Sequence, residues 1–306
     1  MPESQTDTKN KPINEPVKRT NEIEEITNLY LFVPLSHWLV PKLAYLRITP
    51  NMVSLTGMAC GIAAGLSYFH YQDYRFALLG FALMCIWHVL DGADGALARL
   101  TNSQSEFGKI IDGICDYVTF ITVYVALGLA MMPDFGANIW VIVIGAGLCH
   151  AFQAGAYELQ RQEYDFWGYG KKSAELPELS SLNDLPQNLS FFGKIATIMG
   201  NQYARMQYRF SGLDLNFRPQ LKQYLADNPE KEAAFREDYR NKFAPLVNKW
   251  GIMCANYRTY AIFIACISGQ PILYFAAEIF ILNLALLILV QKQRKHNKAF
   301  LTHIGA

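Results

Sequence analysis

The feature that most restricts this chain is a series of apolar stretches of similar length. Six of them, near 51–70, 75–98, 108–132, 137–158, 252–269 and 272–291, have the roughly 20 mostly apolar residues that a helix needs to cross a bilayer. The last two form one run broken at Gly269-Gln270-Pro271, where glycine and proline suit a tight turn between two helices. Charged residues make up 17% of the chain, below the roughly 25% usual in soluble domains. The expectation is an all-α integral membrane protein with six transmembrane helices.

The charges that remain are unevenly placed. Lys42, Arg47, Arg99, Lys109, Arg161, Lys171, Lys172, Lys292, Arg294, Lys295 and Lys298 all flank the same ends of six alternating spans, whereas the opposite loops offer only Arg75. Basic residues collect on the cytoplasmic side, so both termini, the 98–108 loop and the long 158–250 segment are expected there. A net charge of +1 gives no support for a nucleic-acid partner. None of the six cysteines forms a C-x-x-C pair, and small buried side chains are expected rather than disulfides or a zinc site.

Four regions follow. Residues 1–25 are polar, lack the apolar core of a secretory signal, and read as a disordered cytoplasmic tail. Residues 28–158 hold the first four spans. They are preceded by a mixed aromatic and polar stretch, 28–46, that reads either as an amphipathic interfacial helix or as a plain helix packed on the bundle. Residues 159–250 are too long for a loop and read as a cytoplasmic helical insertion. In it Phe191, Phe192, Ile195, Ile198, Met199, Tyr203 and Met206 recur at helical spacing. A Ser/Pro/Asn-rich linker near 173–190 interrupts this insertion, and Asn228-Pro229-Glu230 reads as a helix start. Residues 251–306 hold the last two spans and a basic tail.

Chemistry concentrates where the second span meets the third. Asp91-Gly92-Ala93-Asp94-Gly95-Ala96-Leu97-Ala98-Arg99 is followed by Gly108, Asp112 and Asp116. Spacings of three and four put each aspartate pair on one helix face. The short 99–107 connection makes the helices antiparallel neighbours, so four carboxylates converge at their cytoplasmic ends. Such a group is unfavourable near a bilayer unless a cation offsets it. All-carboxylate ligands suit a hard ion, Mg²⁺ or Mn²⁺, one or two in number, and a hard ion suits phosphate. Gly92, Gly95 and Gly108 leave room for a bulky ligand against the helix backbone. Arg99 offers a planar donor for phosphate oxygens.

This pattern resembles the signature of the CDP-alcohol phosphotransferase (CDP-alcohol phosphatidyltransferase) family, D-x-x-D-G-x-x-A-R-x8-G-x3-D-x3-D. Asp91, Asp94, Gly95, Ala98, Arg99, Gly108, Asp112 and Asp116 fill every fixed position. Thr49-Pro50-Asn51 before the first span is similar to that family's usual start. The resemblance implies that Asp91, Asp94 and Asp112 bind metal. It implies that Asp116 completes a second metal site and acts as general base on the acceptor hydroxyl. Gly95, Arg99 and Gly108 would hold the CDP moiety, with Ser105 and Asn51 as further candidate contacts. A homodimer is implied in the same way. The 158–250 segment departs from compact family members.

Other polar residues have plainer readings. His88 and His150 are expected as hydrogen-bonded core histidines, and Glu278, inside the sixth span, as a group needing a buried partner. Arg258 reads equally as a ligand for an acceptor phosphate and as an interfacial anchor. The run Tyr157, Glu158, Arg161, Tyr164, Trp167 and Tyr169 reads as an interfacial aromatic belt, or as a border of the acceptor pocket.

Three functions are compatible with these residues. The first is transfer of a phosphatidyl group from CDP-diacylglycerol to a polar alcohol, with release of CMP, in phospholipid synthesis. The second is transfer of a head group from a soluble CDP-alcohol to diacylglycerol or a related lipid. The contexts of Thr101-Asn102-Ser103 and Gly113-Ile114-Cys115-Asp116 resemble the choline/ethanolamine branch that does this, although that branch has more spans. The third is a non-enzymatic metal-binding membrane protein, which Arg99 and the motif glycines disfavour.

Overall fold

The computed structural model describes residues 20–177, 191–212 and 216–305, and every regular element among them is helical. A π-helical turn (Asn28–Phe32) leads into α1 (Val33–Tyr45). Helices α2 (Pro50–Tyr68), α3 (Tyr74–Leu100), α4 (Glu106–Phe135) and α5 (Ile139–Tyr169) follow. Then come α6 (Phe191–Phe210), α7 (Phe217–Asp227), α8 (Glu232–Trp250) and α9 (Ala255–Ile267). The last helix, α10 (Ile272–Ile304), contains a π-helical turn at Ala277–Ile281.

Local chemistry sets several boundaries. Thr49, Asp73 and Ser105 cap α2, α3 and α4, each side chain accepting a backbone N–H of the first turn. Pro50 takes the first helical position of α2. Gly170, at φ +68°, ends α5 in the left-handed conformation that glycine adopts without steric cost.

Three stretches are long and apolar enough to cross a membrane: Tyr74–Leu100, Ile110–Tyr169 and Ile272–Ile304. The middle one folds back on itself. Gly128 meets Trp140 near the turn, and Tyr124 meets His150 farther from it, so α4 and α5 form an antiparallel hairpin. Likewise α2 and α3 pair Gly80 with Tyr68 and Gly57 with Leu90, and α9 and α10 pair Arg258 with Glu278. Helices α2 and α4 run side by side with backbones in close approach. A Cβ on Gly61 would overlap the Thr119 side chain, and one on Gly65 would lie 3.0 Å from the Thr122 backbone.

The bundle core joins these helices through Tyr68, Met84, Trp87, Val123, Leu127, Ile262 and Phe275. A second core, of Tyr164, Trp167, Phe217, Phe235, Tyr239, Phe243 and Phe300, holds α7 and α8 against the ends of α5 and α10. Helix α5 therefore continues unbroken past 158 to Tyr169. Tyr164 and Trp167 are interior residues, neither a belt nor a pocket border.

Several expectations change. Residues 1–19 and 178–190 of the expected tail and linker lie outside the described residues. Residues 20–25, by contrast, are packed: Ile23 enters the second core, and Glu22 accepts hydrogen bonds from Tyr164 and Tyr169. The helix expected from the spacing of Phe191 to Met206 is α6. A helical stretch does start at Asn228-Pro229-Glu230, as a 3-10 turn (Pro229–Lys231) that leads into α8, but the Asn228 side-chain amide turns back to the Tyr224 carbonyl and makes no cap bond. Helix α1 and the π-helical turn before it bury Phe32, Ser36, Val40 and Leu43 on the bundle side and leave Tyr30, Leu35 and Trp38 exposed on the other.

Candidate active site

The motif residues sit where α3 ends and α4 begins. Asp91, Asp112 and Asp116 each offer a carboxylate oxygen within 4.8 Å of the others, and Asp91 and Asp116 are linked by a hydrogen bond. Like charges this close repel, so a cation or shared protons must sit among them. Three carboxylates are a hard, all-oxygen donor set and fit a magnesium- or manganese-type ion.

Asp94 lies outside this group of three. It is 6% exposed, and its carboxylate accepts a hydrogen bond from Ser54 on α2. The expected convergence of four thus becomes three carboxylates with the fourth held beside them. Sequence reasoning missed Ser54. It lies one turn after Asn51, and only the antiparallel register of α2 and α3 brings it to Asp94.

A second cluster forms at the N-terminus of α4. Ser105 Oγ accepts the Gly108 N–H at 2.9 Å. A Cβ on Gly108 would stand 3.2 Å from Ser105 Oγ and 3.5 Å from Asn51 Oδ1. Asn51 and Ser105 line a cavity of about 440 Å³ together with Arg47, Thr49, Thr101 and Ser103. Arg99 is not among its lining residues. It lies one turn beyond Gly95, whose added Cβ would reach 3.4 Å from Arg99 Nη1. It borders a smaller cavity of about 190 Å³ with Asn21, Ser36, His37 and Gly92.

The glycines divide by role. Gly95 faces Arg99 of the motif, and Gly108 faces Ser105 and Asn51. Gly92 does not leave room for a ligand, because a Cβ there would come within 2.7 Å of Ser36 Oγ, which donates to the Val89 carbonyl. Its lack of a side chain lets α1 seat on α3.

The remaining polar candidates are structural. His88 Nε2 is 2.9 Å from Thr259 Oγ1, and His150 Nδ1 is 3.1 Å from Tyr124 Oη. Arg258 is neither an anchor nor a ligand for an outside phosphate. It is 1% exposed and pairs with Glu278 at 3.1 Å, deep between α9 and α10.

Comparison with known proteins agrees with this geometry. Residues 47–169 match the family model described as CDP-alcohol phosphatidyltransferase. A CDP-diacylglycerol--serine O-phosphatidyltransferase of Mycobacterium tuberculosis is 28% identical over 118 residues, 37% of this chain and 38% of the relative. One of Helicobacter pylori is 33% identical over 75 residues, 24% and 30% of the two chains. Cholinephosphotransferase 1 of Gallus gallus is 30% identical over 112 residues, 34% and 32%. The chain thus spans under two fifths of the length of these relatives. The matched region contains every motif aspartate, the Asn51 cap region and both hairpins that carry them, and over these residues the chain matches the CDP-alcohol phosphatidyltransferase family model.

Proposed function

We propose that the chain is a membrane-embedded transferase that moves a substituted phosphate group from a CDP-linked donor to an alcohol and releases CMP. The observation that carries the reading is the meeting of Asp91, Asp112 and Asp116 from two helices within 4.8 Å of one another. A cavity of about 440 Å³, lined in part by Arg47, Asn51, Thr101, Ser103 and Ser105, opens beside Gly108 at the start of the same helix.

In this reading Asp91, Asp94, Asp112 and Asp116 hold one or two hard divalent ions, which supply charge neutralisation at the pyrophosphate and at the leaving CMP. Gly95, Arg99 and Gly108 hold the phosphates, and Asn51 and Ser105 the ribose. Asp116 takes the proton of the acceptor hydroxyl, whose oxygen attacks the β-phosphorus while the bond to CMP breaks. Ser54 keeps Asp94 oriented.

CDP-diacylglycerol is the favoured donor, supported by the names of the mycobacterial and Helicobacter relatives as CDP-diacylglycerol--serine O-phosphatidyltransferases. A polar alcohol is the acceptor, with serine the first to test. The second reading, head-group transfer from a soluble CDP-alcohol to diacylglycerol, is supported by the avian cholinephosphotransferase. Six spans are proposed, α2, α3, α4, α5, α9 and α10, with α1 at the membrane surface. The alternating hairpins and the one-sided basic residues favour both termini and the site on the cytoplasmic face. A homodimer is the assembly expected from the family.

The test is CMP release by purified full-length protein with Mg²⁺. CDP-diacylglycerol with an alcohol panel should yield CMP. Release only from CDP-choline with diacylglycerol would select the second reading, and none from any donor would refute both. Asp116→Asn should lower turnover about 10²- to 10⁴-fold while CDP still binds.

A further inference from the structure

Helices α1 and α3 end in the same way and at the same place. In α1, Ile48 N–H bonds to the Leu43 carbonyl and Arg47 N–H to the Ala44 carbonyl, both at 3.0 Å. In α3, Ser103 N–H bonds to Ala98 at 3.0 Å and Asn102 N–H to Arg99 at 3.4 Å. This paired closure puts the residue after the cap in the left-handed region, where glycine is usual. Arg47 (φ 56°) and Asn102 (φ 51°) are the two non-glycine residues with positive φ among the described residues. Asparagine tolerates the conformation through its short polar side chain. For arginine it costs roughly 1–2 kcal/mol with no local return. As far as the turn is concerned, glycine would serve better at position 47.

The reason for arginine lies in the cavity. Arg47, Thr101 and Ser103 line the 440 Å³ space beside Asn51 and Ser105, and no lining residue is acidic. The Arg47 side chain is exposed and makes no hydrogen bond or ion pair with any described residue. Its position along the chain fixes what it can meet. Ser54 is level with the aspartates through Asp94, Asn51 is level with Gly108, and Arg47 lies farther out again. The first turn of α2, from Pro50 to Ser54, already spans roughly 6 Å at a helical rise of about 1.5 Å per residue, and Arg47 lies before that turn, on the wall of the cavity away from the aspartates. If phosphates occupy the aspartate end, the part of the donor at this remove is the far side of the nucleoside.

We propose that Arg47 is a donor-specificity residue whose guanidinium donates two parallel N–H bonds to O2 and N3 of the cytosine base. The inference rests on the reading of the chain as a CDP-linked transferase. A planar fork matches two adjacent acceptors, and a lysine does not reproduce it. Uracil carries an N–H at position 3 and would set donor against donor, so the contact discriminates cytosine from uracil.

Arg47→Gly separates the roles of side chain and turn, because glycine keeps the left-handed closure and relieves its cost. The experiment is calorimetric titration of CMP and of UMP into full-length wild-type, R47G and R47K protein with Mg²⁺, alongside thermal unfolding. R47G should unfold no earlier than wild type, yet bind CMP roughly tenfold more weakly, the size of one lost bidentate base contact. Its preference for CMP over UMP should shrink, and R47K should behave like R47G. Wild-type CMP affinity and an unchanged CMP/UMP ratio in R47G would overturn this inference and leave the transferase reading standing. A wild-type protein that binds no cytidine nucleotide would overturn both.

Discussion

Removal of one half of the Arg258–Glu278 pair is expected to damage this protein more than removal of both. The pair is fully enclosed, with side chains 1% and 0% exposed. Arg258 Nε and Nη2 reach the carboxylate at 3.1–3.3 Å. Nη2 also donates to Gln153 Oε1 at 2.7 Å, and Nη1 to the Met253 carbonyl. Tyr274 Oη donates to the far carboxylate oxygen at 3.1 Å and meets Tyr124 Oη at 2.5 Å. Glu278→Leu therefore strands a guanidinium inside the bundle, and a stranded buried charge costs about 3–5 kcal/mol. The double variant R258M/E278L leaves no charge behind. It leaves the neutral groups of Gln153, Tyr274 and the Met253 carbonyl short of one partner each, at about 1–3 kcal/mol per group at most. The double variant should thus unfold at a higher temperature than either E278L or R258M, by thermal denaturation in one detergent. It should also keep the wild-type KM for the acceptor alcohol at a permissive temperature, because Arg258 serves the helix pair and not the substrate. Additive losses in the double variant would refute the argument, since they would mean that the two side chains act independently.

Three further outcomes follow from contacts elsewhere. Ser54→Ala removes the hydrogen bond that orients Asp94. The Mg²⁺ concentration for half-maximal CMP release should rise about 10- to 100-fold, as for other outer partners of metal ligands. Gly65→Ala places a methyl 2.7 Å from Thr122 Cγ2 and 3.0 Å from its backbone; helix backbone cannot give way, so overpacking should lower stability by about 1–3 kcal/mol, read by thermal unfolding. Burial raises the Glu25 carboxyl, but hydrogen bonds from Thr27, Asn256 and Asn28 outweigh it and hold the group below its ordinary value of 4.5. A lowered folded value stabilises above 4.5 and loses that contribution as pH falls through the lowered value. The stability gap between wild type and Glu25→Gln should therefore be constant near neutrality and close on acidification below pH 4.5.

The clustering of the aspartates was legible in the sequence because their placement depends on one helix at a time. A spacing of four puts Asp112 and Asp116 on one face whatever surrounds them, and a short connection makes α3 and α4 neighbours. What depended on register between distant segments was not legible. Ser54 meets Asp94 across 40 residues, and Arg258 meets Glu278 from the opposite arm of a hairpin. From the sequence Arg258 resembled any basic residue at a span boundary. Gly92 reads like its neighbours in the motif, yet it faces Ser36, a residue that belongs to no motif. The end of α5 was misjudged for another reason. Apolar runs mark where a membrane can be crossed, but a helix continues through polar residues when another surface buries its face. Here the Tyr164 and Trp167 faces are buried by α7 and α8.

That second core bears on the site through the segment between Thr20 and Ser36. Glu22 is clasped by Tyr164 and Tyr169 on α5, and the Asn248 amide of α8 donates to its carbonyl. Glu25 accepts from Asn256 at the start of α9. Farther along, Phe32 packs on His88 with ring centroids 4.9 Å apart, and Ser36 bonds to Val89. His88 is held from the other side by Thr259 of α9. Asp91 follows His88 by one turn, so the stretch of α3 that carries it is held by Phe32 and Ser36 on one side and by α9 on the other, and Glu25 bonds both Asn28, in the turn before α1, and Asn256 of α9. Neither Glu25 nor α9 lies within residues 47–169. The matched region supplies the clustered aspartates, while parts outside it pack against the helix that carries the first of them. Helix α8 and the end of α5 thus pack against the same 20–25 segment that bonds α9.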